Sequence, residues 1–535
     1  MLFVAIAIAA HVLLSRLGFS PTDDGFILAQ GRRILAGQVP HRDFISIRPV
    51  GSALLHTFDL IVGGAHTFLV SRLVYWLETA IVCWCWLEIA LRRVAAGPGF
   101  WGSASLVPLS FMLSTHAFPP MAWHTVDGVF LATLGFLACQ GQTKAWKLAG
   151  YLLIGASVTC KQNFLPVLPL AAAANGDLRR PLAWLALAAP AAVYVAVLTA
   201  LGAGPDMRQQ LFALADIAGP GVKRYFGPPG WPAGLIVGGI AGASAMYAAR
   251  LGPGMKRSLT RWLGYLLPLA SVAAIGATLD AVRFLYIDQM CFALLGCLCG
   301  LTLACIRLPP VAPIVPANAF LAGLAWCSGI SLGYQTPAHV AGPMAIGLLI
   351  PAERLLGESG RQRLVSTMLS WMVVLLTAGH WWAARHDHIY NEATAPLLTR
   401  RLDGVLPGGD GVVTNPNTFA VLSDLHDVIA GEGGRPYAIV VDVAGWWACC
   451  PQANPLPADW PQSIELCTES LQERLSAAAL KQRGRVVFIV QKVQMTTLGE
   501  GLALLDPGSP YYGAATWIRS NFNKTRQTRF WDVYE

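Results

Sequence analysis

Charge is scarce in this chain. Asp, Glu, Lys and Arg make up 13% of its 535 residues, about half the share of a soluble globular protein. Hydrophobic residues reach 55% and mean hydropathy is +0.51, which excludes a soluble globular fold and points to an integral membrane protein. The net charge of +8 is spread thinly. There is no basic tail and no basic patch interleaved with aromatics, so nucleic acid is excluded as a partner, and the excess fits Arg and Lys in cytoplasmic loops. No CxxC pair occurs, which removes a zinc ribbon. Residues 396–535 carry neither GxGxxG nor GxxxxGK, which leaves a nucleotide role for that region with little support. Of the twelve cysteines, nine fall inside apolar runs and act there as small buried hydrophobes. Cys449, Cys450 and Cys467 lie in the C-terminal region, where an oxidising compartment would allow Cys467 to pair with one of the other two.

What is present is a series of apolar segments. A membrane span needs about 20 apolar residues, fewer for broken spans inside a bundle. The candidates are 2–18, 67–91, 101–118, 126–140, 147–160, 163–174, 182–202, 231–249, 262–279, 289–306, 315–332, 338–350 and 367–384, about thirteen transmembrane helices. The first, MLFVAIAIAAHVLLSRLGF, lacks a basic n-region and reads as a retained span rather than a signal peptide. With the N-terminus cytoplasmic and sides alternating, Arg92-Arg93, Lys144 and Lys147, Arg179-Arg180, Arg250 to Arg261, Arg307, and Arg354 to Arg363 all fall inside, as the positive-inside rule requires. Residues 385–535 then lie on the far face. The fold class is a polytopic α-helical membrane protein with a C-terminal extracytoplasmic α/β domain: 1–384 in the membrane, 385–395 a linker, 396–535 the outer domain.

In the tail, YAIVVDVAG (437–445) and GRVVFIVQK (484–492) read as central strands, IELCTESLQERLSAAALKQ (464–482) as an amphipathic helix, and TRFWDVYE as a last edge strand. Trp446, Trp447 and Trp460 either stack on a ligand or rest the domain on lipid.

The first far-side loop carries TDDGFILAQGRRILAG at 22–37. A helix is expected from Asp24 to Ala36, capped by Thr22 or Asp23, stopped by Gly37 and lying at the lipid interface. Asp23 and Asp24, Arg32 and Arg33, Arg42, Asp43 and Arg48 crowd into this loop. Charges near a bilayer are costly unless they meet each other or a ligand. The acids are expected to be solvent-adjacent rather than part of a core. Elsewhere, His124 reads equally as an interfacial histidine beside Trp123, and Lys161 as a charged break between short spans that needs a partner. Arg283 and Asp288 read as a local far-side pair, and Arg224 to Gly227 as a flap.

The stretch DDGFILAQGRRILAGQVPHRDFISIRPVGSALLHTF resembles the first external loop of the GT-C superfamily of polytopic membrane glycosyltransferases, which includes the protein O-mannosyltransferases and aminoarabinose transferases. Asp23 and Asp24 match the acidic pair, Phe26 the aromatic position and Arg48-Pro49 the basic-proline element. His124 and Asp127 in AWHTVDG fit the second loop, and Lys161 in VTCKQNF fits a lysine after the next spans. The likeness covers roughly residues 20–165. The pair is Asp-Asp rather than the commoner Asp-Glu, and the second loop lacks a Leu-Asp signature.

The resemblance implies an inverting transfer of a sugar from a polyprenyl-phosphate donor to a glycan or glycolipid acceptor, amid membrane lipids, at the outer face of a bacterial cytoplasmic (inner) membrane. Asp24 or Asp23 would be the base, with Asp24 favoured because Asp23 also suits the cap. Arg48, Lys161, and Arg32 or Arg33 would hold the donor phosphate. His124 and Asp127, with Tyr334, Gln335 and His339 at another far-side turn, would contact sugar. Some relatives use a divalent cation; here Mg or Mn would bridge Asp24 and Asp127, although the sequence does not require it. The rival from another class is a transporter or flippase for a lipid-linked or anionic substrate, which predicts acids deep in the helices and internally repeated broken helices.

Overall fold

The computed structural model describes residues 1–94, 100–116, 118–213, 230–251, 254–281, 287–330, 336–356, 360–506 and 508–535, without the side chains of 100–103, 277–281 and 287–289. Tyr334, Gln335, the Arg224–Gly227 stretch and Arg283 lie outside the described residues, as does the Asp288 side chain.

Each of the thirteen apolar segments is helical, but their reach is unequal. Five stretches are long and apolar enough to cross a membrane: Gly51–Val94, Pro181–Ala200, Gly230–Arg250, Met255–Gly276 and Gly360–Asp387. Leu2–Leu14, Ala104–Thr115, His124–Ala138 and Met290–Cys305 are apolar and shorter. The helix Val167–Ala174 has 8 residues. At about 1.5 Å per residue it cannot bridge a hydrocarbon core of about 30 Å, so segment 163–174 is not a crossing by itself.

Small residues set the closest helix contact. Gly234, Gly238 and Gly242 of Gly230–Arg250 face Ala293, Cys297 and Ala304 of Ile287–Cys305. A Cβ at Gly238 would stand 2.1 Å from the Cys297 carbonyl oxygen, so only glycine permits this backbone approach, the usual device for joining helices in lipid.

The outer domain is built on a four-stranded sheet. Its strands are β3 (Tyr437–Val440), β4 (Val487–Gln491), β5 (Lys524–Gln527) and β6 (Trp531–Tyr534), in spatial order β3-β4-β6-β5. β3 and β4 are parallel, and the other pairs are antiparallel. The separate short strands β1 (Arg400–Arg401) and β2 (Val413–Thr414) pair with each other. Period-2 alternation divides the large sheet. Ala438, Val440, Phe488 and Val490 pack under Glu469–Lys481 and Gly513–Asn521, while Ile439, Ile489 and Val533 belong to the same core as Val421 and Leu425 of Pro416–Gly431. Both faces are covered, so the strands read as continuous apolar runs. TRFWDVYE is not the edge: β6 is interior, and the exposed KTRQ of β5 takes the edge with its charged side chains. All twelve cysteines are free thiols. Cys467 lies against the Ala213 carbonyl and Cys450 against the Tyr437 hydroxyl, so the disulfide that the sequence allowed is not formed. Trp446 and Trp447 neither stack on sugar nor rest on lipid. They are buried, Trp446 donating to the Tyr437 hydroxyl and Trp447 stacking on its ring.

The outer domain is joined to the first loop along its length. Val413 N donates to the Arg16 carbonyl at 2.7 Å, and Gly18 N to the Val413 carbonyl at 2.8 Å. Ile45 N donates to the Pro457 carbonyl, and Arg33 and Arg48 pair with Asp459 and Glu465.

Candidate functional site

The loop helix runs Phe26–Leu35, two residues shorter at its start than expected. Neither Thr22 nor Asp23 caps it. The cap position is Gly25, at φ +90°, with no side-chain cap bond. A Cβ there would meet Gly445 Cα at 2.7 Å, and one at Gly445 would meet the Asp24 carbonyl oxygen at 2.6 Å. Two glycines therefore let the outer-domain helix Ala444–Cys449 press against the acidic turn. Gly37, at φ +81°, ends the helix as expected. Phe26 to Gly31 are all buried, so the helix is enclosed by protein rather than laid on lipid.

That enclosure corrects the expectation of solvent-adjacent acids: Asp23 is 8% exposed and Asp24 is 5%. Asp24 Oδ2 accepts from Ser20 N and Arg72 Nη2, both at 3.0 Å, and Oδ1 accepts no hydrogen bond among the described residues. Arg72 also donates to the carbonyls of Ser15 and Gly18. Asp24, Arg72, Arg385, His388 and Tyr390 line a cavity of about 30 Å³, room for one water-sized group. Burial pushes the Asp24 carboxyl above its usual range, against the pull of Arg72 and the Ser20 amide.

Asp23 Oδ2 accepts from Tyr390 and Thr22, each at 2.9 Å. Its carboxyl is pushed up to about 6, first by burial and further by the charge of Asp24, while Tyr390, Thr22 and Arg48 act against the rise. Beside it stands Asp442 of the outer domain, fully buried, accepting from Trp460 Nε1 at 2.8 Å and raised to about 7 by burial and by the charge of Asp23. Both acids hold a proton more tightly when folded than when unfolded. Their contribution to stability is therefore complete below about 4 and lost as pH rises through about 6 to 7. Replacing Asp23 with Asn removes the charge that helps to raise Asp442, whose carboxyl is then expected to ionise at lower pH, as a pH series of infrared difference spectra on the two proteins would show.

The cationic candidates separate into two groups. Arg33, 4% exposed, is committed to a bidentate pair with Asp459 at 2.7 and 2.8 Å and to the Leu456 carbonyl, while Arg32 is exposed. Arg48 and Lys161, by contrast, converge with two histidines. His124 lies within electrostatic reach of Arg48, Lys161 and His339, and Asp23 within reach of Arg48. Arg48 pairs with Glu465 at 2.5 Å. Lys161 is 4% exposed, donates to Thr125 Oγ1 at 2.9 Å and meets no carboxylate among the described residues. His124 stacks on Trp123 and its buried Nδ1 has no hydrogen-bond partner. His339 sits edge-on to Phe118 at 4.3 Å.

Asp127 faces elsewhere. It is fully buried and its Oδ1 is 3.2 Å from His56 Nε2. Asp24 and Asp127 thus take different partners, and among the described residues no three His, Cys, Asp or Glu side chains converge to hold a metal ion.

Sequence reasoning missed Arg72, Tyr390 and Asp442. Arg72 had a signal, a charge inside the apolar run 67–91. Tyr390 and Asp442 had none.

No family model matches the chain, and no curated protein matches it. Its fold is similar over 100% of its length to two crystal structures of ArnT from Cupriavidus metallidurans, each covered to 97%. The one bound to undecaprenyl phosphate gives a TM-score of 0.40 at 10% identity, and the apo form 0.42 at 11%.

Proposed function

We propose that this chain is an inverting glycosyltransferase that moves a sugar from a polyprenyl-phosphate donor to a lipid- or polysaccharide-linked acceptor at the outer membrane face. The observation that carries the reading is the buried Lys161 ammonium, without a carboxylate and gathered with Arg48, His124 and His339. A buried cation without a counter-charge is costly, and a lipid phosphate supplies one. Lysine offers it a point charge and arginine a planar fork.

The acids complete the chemistry. The acceptor hydroxyl gives its proton to Asp24 as its oxygen attacks the anomeric carbon, and the bond to phosphate breaks. Arg72 and the Ser20 amide hold Oδ2, which leaves Oδ1 for the proton. The sequence reason for preferring Asp24, a capping role for Asp23, has fallen away; its place on the cavity wall replaces it. The phosphate leaves already charged and needs cations more than an acid. No step is routed through a divalent ion.

Lys161→Met tests the reading. Binding of a polyprenyl phosphate to the purified protein is expected to weaken about 10- to 100-fold, the worth of one hydrogen bond to a charged group. The unfolding midpoint of the lipid-free protein should rise, because an unpaired buried charge is gone. Unchanged lipid affinity in this variant would sink the assignment.

A further inference from the structure

Four ionisable side chains that the proposed reaction does not use meet inside the helical part of the chain. His56 and Asp59 belong to short helical pieces between residues 51 and 63, Glu78 to Thr67–Val94, and Asp127 to the first turn of His124–Ala138. All are buried, Glu78 at 8% exposure and the others at 2% or less. His56 Nδ1 stands 2.6 Å from Asp59 Oδ2, and Nε2 stands 3.2 Å from Asp127 Oδ1. Neutral imidazole carries one N–H, so only the imidazolium can donate to both acids.

Glu78 is the unbalanced member. Its carboxyl lies within interaction range of Asp127, and two ionised carboxylates would have no proton to place between them. Asp127 Oδ2 and one oxygen of Glu78 are buried with no donor. The other groups facing the pair are His56, Asp59 and the Cys160 thiol, which also contacts Ser52. One imidazolium against three carboxylates would leave two uncompensated negative charges in a buried site, far more costly than a neutral acid.

We infer that Glu78 and Asp127 form a buried proton-binding site, in which Glu78 is a neutral carboxylic acid donating to Asp127 while His56 is an imidazolium between Asp127 and Asp59. The proton joins Thr67–Val94 to the first turn of His124–Ala138. Two residues before Asp127 on that turn, Thr125 receives Lys161, so Glu78 is a positioning residue. The inference does not rest on sugar transfer.

Infrared difference spectroscopy of the purified protein in detergent tests it, with thermal unfolding of the same samples. The unaltered protein should show the C=O band of a protonated carboxyl group at neutral pH, and Glu78→Gln should lose it. Because the glutamine amide donates to Asp127 as the acid does, Glu78→Gln should keep the unfolding midpoint, whereas Glu78→Ala should lower it. If the alanine variant does not fold, the glutamine variant alone decides. Absence of any carboxyl band removed by Glu78→Gln would overturn the site. So would a lowered midpoint in Glu78→Gln, or stabilisation by sodium or magnesium that this variant abolishes, since each would mark Glu78 as an ionised ligand.

Discussion

Asp24→Asn is expected to transfer sugar at least about 100-fold more slowly than the unaltered protein, the lower end of what a positioned base contributes. The measurement is single-turnover transfer from a synthetic polyprenyl-phosphate sugar. Stability must be read beside it, because Asp24 is a buried partner of Arg72 and not a solvated loop acid. Removing one member of a buried pair costs about 3–5 kcal/mol when nothing replaces it. The loss here should fall below that range, since Arg72 keeps the Ser15 and Gly18 carbonyls and asparagine still offers an oxygen to Ser20 N. The proposed phosphate site is built from other residues, so the variant should bind polyprenyl phosphate normally. Retained transfer would remove Asp24 as the base, and transfer lost together with lipid binding would indicate a collapsed site.

The second large effect concerns the joint between the two parts of the molecule. Asp459→Ala leaves the Arg33 guanidinium buried with only the Leu456 carbonyl, Gln38 and the Phe44 ring, at a cost of about 3–5 kcal/mol. The outer domain should then unfold or lift at lower temperature, seen as an earlier thermal transition and faster proteolysis within 385–395. The double variant Arg33→Met with Asp459→Leu should recover much of the loss, because the desolvation of both charges disappears with the pair. A double variant no better than the single one would show that the pair sets geometry that packing cannot replace.

Helical segments, outer strands and the acidic turn were legible because each depends on local order: apolar runs, β-rich runs between turns, and Gly37 after a polar helix. What escaped was set by distant chain. The pattern of Phe26–Leu35 gave no single stripe because protein surrounds it, with Ala444–Cys449 as one wall. TRFWDVYE was misplaced as an edge because strand order depends on where β5 inserts, which its own sequence does not encode. Arg33 read as a phosphate ligand because Asp459 lies 426 residues away. Arg48 and Lys161 were candidates from their motifs, but their convergence with His124 and His339 and the turn of Asp127 toward His56 required the packed helices.

The distance along the chain between the acidic turn and its supports fixes an order of events during synthesis. Asp23 is made 367 residues before Tyr390, and Asp442 and the strand that bonds to Arg16 also follow both acids by a long stretch of chain. A nascent chain therefore carries the acids with only their near neighbours such as Arg72 around them. The turn gains its far wall only once Tyr390 and Asp442 have been made and folded, so a chain halted before them holds its acids unenclosed.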